Sequence, residues 1–200
     1  MLKTAHTDES RFVVPRAGRR VGRAASAGLL LLTSCAAVAA CGSSSGSGSA
    51  KPPAGLAAFG YSTVAASTTV KSGGSTTLHS GDLTVLVPAH ALPAGARFDL
   101  LTGSNSYWKS YAPAGQKVLA AFAFRVIDKA TNHLIVKFDA PVVVKVTNSG
   151  IRPTSQYLNT TPTSPPKVLS NPKAPKIAGT TLAHGNVGDP VGWLVTSPGA

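Results

Sequence analysis

The chain has 200 residues, with 19 Lys and Arg against 7 Asp and Glu, for a formal net charge of +12. Once linker and targeting stretches are set aside, that length leaves room for one domain. The positive balance favours anionic surfaces as neighbours through long-range attraction.

The first 40 residues do not read as part of a folded core. Arg11, Arg16, Arg19, Arg20 and Arg23 form a basic region, and Ala24 to Val38, "AASAGLLLLTSCAAV", is an apolar run of the length of a secretory signal core. A transmembrane helix needs around 20 apolar residues. This run is shorter and carries Ser26, Gly28, Thr33 and Ser34. Val38-Ala39-Ala40-Cys41 resembles the lipobox of bacterial lipoproteins. The resemblance implies that the Cys41 thiol receives a diacylglycerol and that the leader is cleaved before it. It also implies a palmitate-type acyl chain on the new amino terminus and a mature protein held at the extracytoplasmic face of the cell membrane. Two or more chains anchor stably where one holds only marginally. Leu32-Thr33-Ser34-Cys35 is a second, shorter match, and a soluble secreted product cut at an ordinary site is the other alternative. Arg19-Arg20 hints at twin-arginine export, but Gly22 and Arg23 follow where that signal carries apolar residues.

From Cys41 onward the chain keeps 10 Lys and 3 Arg against 5 Asp and no Glu, a net charge of +8. Cleavage removes Cys35 and acylation consumes Cys41, so the mature domain is expected to have no free thiol, disulfide or thiolate metal site. Residues 41–55 form the lipidated cysteine and a Gly/Ser/Pro tether, and 56–200 the folded domain. The scattered lysines point to lipid headgroups, an anionic envelope polymer or a surface protein as partners. Nucleic acid is not expected of an exported chain with no binding motif.

Within the domain, strand patterns recur and helix patterns are nearly absent. Leu83, Val85 and Val87 alternate on one face of "LTVLV"; Phe122, Phe124 and Val126 do so within Val118–Ile127. His133–Phe138 and Val142–Thr147 follow, with Lys137 and Lys145 on a solvent face. "ARFDLLT", "KIAGTTLAH" and "VGWLVT" are further strands, with Trp193 a core residue. Asp128 to Asn132 supplies turn chemistry for a hairpin between Phe122–Ile127 and His133–Phe138. The Pro-rich stretch at 161–176 forbids helix and central strand alike, and reads as a surface crossing or an irregular edge. Short strands with Gly and Pro between them predict an all-β fold, a single antiparallel β-sandwich of immunoglobulin-like or ZU5-like type.

The stretch "GDLTVLVPAHALPAGARFDL", residues 81–100, is similar to the opening of ZU5-like β-sandwich modules, with His90 where that family often has Gly. "FRVIDKATNHLIVKFDAPVVVKV" is similar to the hairpin and Phe-x-x-Pro-Val strand that follow there. The resemblance spans about Gly73 to Asn148 and implies a structural or interaction module without catalytic residues.

Motifs of chemistry are few. Gly42-Ser43-Ser44-Ser45-Gly46 matches G-x-S-x-G but lies in the tether, without the strand and helix a nucleophile elbow needs. Ser106-Tyr107-Trp108-Lys109 and Ser170-Asn171-Pro172-Lys173 match S-x-x-K without its companion motifs. His79, His90, His133 and His184 make no metal-binding pair and read as solvent-edge residues. Acid–base work would need two of Asp82, Asp99, Asp128, Asp139 and Asp189 to converge. No catalytic residue, metal site or cofactor is expected. The candidate binding loop is "SNSYWKSYAP", with Tyr107, Trp108, Lys109 and Tyr111 as its anchors unless Trp108 folds back as a cap on the sandwich. Two function classes stay open: a cell-surface structural or interaction module, and a small envelope hydrolase or carbohydrate-processing enzyme with a site built from distant residues. A concave cleft holding a His beside an Asp would favour the enzyme.

Overall fold

The computed structural model describes residues 54–188 and 192–199. The leader, both cysteines, most of the tether and Asp189 lie outside them. Twelve strands and two helical turns follow in order: α1 (Ala54–Ala58), β1 (Thr63–Thr69), β2 (Thr76–Ser80), β3 (Leu83–Val87), β4 (Arg97–Thr102), α2 (Asn105–Lys109), β5 (Gln116–Asp128), β6 (His133–Leu134), β7 (Lys137–Thr147), β8 (Gln156–Thr160), β9 (Val168–Ser170), β10 (Lys176–Ala178), β11 (Thr181–Gly188) and β12 (Gly192–Pro198). They build two antiparallel sheets packed face to face. One runs β1-β4-β5-β12-β8-β9 with β6 added to β5, and the other runs β10-β11-β7-β3-β2.

Alternating side chains fill the space between the sheets. Phe98 and Leu100 of β4, Phe122, Phe124 and Val126 of β5, and Trp193 and Val195 of β12 meet Val85 and Val87 of β3 and Val142, Val144 and Val146 of β7. Phe124 centres the aromatic part of this core, with ring centroids 4.7 Å from Trp193 and 4.9 Å from Phe98. Lys137 and Lys145 point to solvent, as period-2 alternation requires.

The first sheet is covered on its other face as well. Leu101, Ala121, Ala123, Leu158 and Leu194 alternate outward from the same strands and join Tyr61 and Trp108 in a second, smaller core. A bulge at Leu119 makes room for it. Val195 pairs with Ala120 and Thr196 with Val118, so Leu119 and Ala120 both turn inward while Val118 turns out. Ala54 and Gly55, which read as tether, already belong to α1, and Leu56 beside them packs on this outer core.

The expected hairpin forms, with Asp128 paired to His133 and Asn132 in the left-handed region at φ 56°. Its second strand differs from the sequence pattern: β6 ends after Leu134, Ile135 and Val136 cross over, and β7 starts at Lys137 in the opposite sheet. The Pro-rich stretch is both edge and crossing, since β9 is the outermost strand of one sheet and β10 of the other.

Candidate functional site

The aromatic segment is a capped helical turn rather than an open loop. Ser104 Oγ accepts from the Tyr107 backbone N–H at 3.4 Å, and Asn105 Nδ2 donates to Leu119 O at 3.2 Å, fixing α2 on the outer face of the first sheet. Trp108 is 0% exposed and sits 5.2 Å from the Tyr61 ring. Of the two readings open at this position, burial is the one observed: Trp108 caps the outer face of one sheet, not the space between the sheets. Tyr107 and Tyr111 are half-buried against it, and Lys109 is exposed. Two glycines admit the rings. A Cβ at Gly103 would lie 2.8 Å from Trp108 Nε1, and one at Gly192 would lie 2.4 Å from Tyr61 Cζ.

Three of the described carboxylates, Asp82, Asp99 and Asp128, have a structural task, and Asp139 is exposed. Asp82 accepts from Asn148 Nδ2 at 2.5 Å, and Asp128 accepts from the Ala130 N–H at 2.9 Å inside its turn. Asp99 is fully buried on the outer face of β4, where strand register places Ser67 on one side and Arg125 on the other. Ser67 Oγ donates to it at 2.5 Å and Arg97 Nε at 2.9 Å. Arg125 donates through Nε at 2.6 Å and again through Nη2. Burial alone would raise the Asp99 pKa, but these donors and the Arg125 charge outweigh it and hold the carboxyl below its ordinary value.

Of the four histidines read as solvent-edge residues, His79, His90 and His133 are exposed or nearly so, but His184 is buried. The correction has a simple cause: Leu182, His184 and Asn186 alternate inward along β11, so two polar residues occupy core-facing positions. The His184 ring stacks on Tyr157 of the opposite sheet, centroids 4.2 Å apart and planes 10° from parallel. Its Nε2 lies 3.1 Å from Lys173 O and its Nδ1 3.2 Å from the Asn186 amide, which in turn bonds the Tyr157 hydroxyl. This network joins β8, β11 and the Pro-rich crossing at one end of the sandwich.

A cleft of about 470 Å³ opens beside it, lined by Asn159, Asn171, Lys173, His184, Asn186, Val187, Trp193 and Val136, among others. Asn171 Nδ2 donates to Asn159 Oδ1 at 2.8 Å, and Asn171 Oδ1 takes the Lys173 N–H at 3.0 Å. Asn159 and Lys173 both line the cleft, and neither the Asn159 amide nitrogen nor the Lys173 ammonium has a hydrogen-bond partner among the described residues. Among its described lining residues there is no carboxylate, and both His184 nitrogens are engaged within the protein. Such a wall suits an anionic or carbonyl-bearing group and holds no nucleophile–base pair.

No signal in the sequence named this cleft. The nearest was "HGN" within an alternating run, where His and Asn stand two apart on one strand face. The fold and this end cleft define the class as a β-sandwich domain with a donor-rich end. Neither family models nor curated proteins give a match to the chain.

Proposed function

We propose that the protein is a lipid-anchored β-sandwich at the extracytoplasmic face of the cell membrane, acting as a structural or interaction module. The observation that carries this reading is Val38-Ala39-Ala40-Cys41 placed between an apolar leader and a Gly/Ser tether. The ZU5-like pattern across Gly73–Asn148 supports a module rather than an enzyme. So does the end cleft, where His184 faces amides instead of a carboxylate. The recognition surface under this reading is that cleft and its rim, with exposed Lys109 and the half-buried Tyr107 and Tyr111 beside it as a second patch.

Mass spectrometry of the N-terminal peptide from membrane extracts tests the anchor. A diacylated Cys41 as the first residue is the expected result, and Cys41→Ala leaves the precursor uncut. Acylation at Cys35, or Leu29–Leu32 retained in the mature chain, would sink the reading.

A further inference from the structure

Leu134, Val136 and Val187 are exposed at 65, 65 and 62% of their surface. Leu134 ends the two-residue β6, Val136 lies in the crossing between sheets, and Val187 stands at a break in register between β11 and β7. The three come together at one end of the sandwich. Val136 and Val187 share the rim of the donor-rich cleft, and Leu134 and Val136 form one wall of an apolar groove of about 480 Å³. Leu56 and Phe59 line that groove as well. Large apolar side chains gathered on a surface mark a contact.

We infer that this end of the sandwich docks on the surface of an anionic phospholipid bilayer. The proposal rests on the anchored reading of Cys41 and adds the orientation of the domain. Its first support is where the tether arrives. Gly55 and Leu56 line the groove itself, so the described chain starts at this end, a short stretch of sequence after Cys41. On the anchored reading, attachment that near in sequence raises the effective concentration of the bilayer at this end. The second support is charge. Lys137 follows Val136, and Lys173 shares the cleft with Val187. No carboxylate is among the described residues lining either cavity, and the Arg125 guanidinium in the groove is already matched by Asp99. Apolar side chains with lysines beside them match an interface of phosphates above acyl chains.

The mature chain has no cysteine beyond Cys41, so a single introduced thiol can be labelled cleanly. Replacing Cys41 with a hexahistidine tag and capturing the mature chain on nickel-chelating lipid attaches it whether or not the cell acylates Cys41. Failure of the anchor, read by mass spectrometry, is thereby separate from failure of docking. An environment-sensitive fluorophore goes on Val136→Cys and, as a control, on Thr180→Cys at the far end of β11. On vesicles of phosphatidylcholine with phosphatidylglycerol, the label at 136 is expected to shift to the blue and to be quenched by doxyl-labelled lipid. The label at 180 should do neither. Adding Leu134→Ser and Val187→Ser should abolish the shift while circular dichroism stays native. A label at 136 that reads the same on captured vesicles as in solution overturns the proposal. So does a shift of equal size on pure phosphatidylcholine, or one already present without vesicles in a dimeric protein, which would make a second copy the occupant.

Discussion

Burial decides the chemistry of His184. Desolvation in the seam between the sheets pulls its pKa below the ordinary 6.5, and the nearby Lys173 charge pulls the same way. Hydrogen bonds to Lys173 O and the Asn186 side chain oppose the shift without cancelling it. Both ring nitrogens face oxygens, Nε2 toward Lys173 O and Nδ1 toward Asn186 Oδ1, so the neutral ring, with a single N–H, donates to one of them, while Asn186 Nδ2 donates to the Tyr157 hydroxyl. A base depressed in the folded state lets the unfolded chain take up its proton first, so stability is complete above about 6.5 and falls as pH drops below it. The thermal midpoint is therefore expected to fall between about pH 7 and pH 5, and His184→Gln, which cannot titrate, should flatten that slope. An unchanged slope in the variant would remove His184 as its source. Asp99 acts lower: its depressed carboxyl contributes stability that is present above the ordinary 3.8 and is lost as pH falls through its folded value. The His184 window opens below about 6.5 and the Asp99 window below 3.8, so their onsets can be read from one pH series.

Among the elements, α2 shows how a surface segment becomes part of a core. A five-residue helix has no stability of its own, yet Ser104 caps it and Trp108 seats it on Leu101 and Leu194. Trp108→Ala should cost about 3–5 kcal/mol in a urea titration, the range for emptying a large aromatic site. Gly103→Ala should cost about 1–3 kcal/mol, because its methyl would meet Trp108 Nε1 and Gly60 O and force the helix off its seat. A Trp108→Ala protein of undiminished stability would show that the outer core contributes nothing. The sequence pattern made strands legible where alternation is strong, as in Leu83–Val87 and in the valines of β7. It missed β1, β2 and β8, whose Thr, Ser and Asn content dilutes the hydrophobic period. It gave no sign of the second buried face of the first sheet, because Ala121 and Ala123 are too small to announce one. His90 was legible in part: it holds φ 63°, the conformation a glycine adopts freely. The end cleft was not legible, since its residues come from β8, β11 and the Pro-rich crossing and only register brings them together.

At the scale of the whole molecule, the question is whether two cores make one cooperative unit. The inter-sheet core and the outer core occupy opposite faces of the same strands: Leu100 and Leu101 on β4, Phe122 and Ala123 on β5, and Val195 and Leu194 on β12. Neighbouring residues therefore serve different cores, and separating the cores would require β4, β5 and β12 to lose one face while keeping the other. Sheet pairing makes that costly, because backbone hydrogen bonds of all three strands depend on both faces staying dry. The chain carries 2 tryptophans, and each reports on one core: Trp193 lies in the inter-sheet core and Trp108 in the outer one. Trp108→Phe leaves fluorescence that follows the first core, and Trp193→Phe leaves fluorescence that follows the second. Circular dichroism of each variant follows the sheets as a whole. Within each variant the fluorescence and dichroism midpoints in urea should coincide, which is the test of two-state unfolding. If instead the Trp108 signal of Trp193→Phe is lost before its dichroism, α1 and α2 peel from the first sheet as an independent layer. The outer core would then be an attachment to the sandwich and not one of its supports.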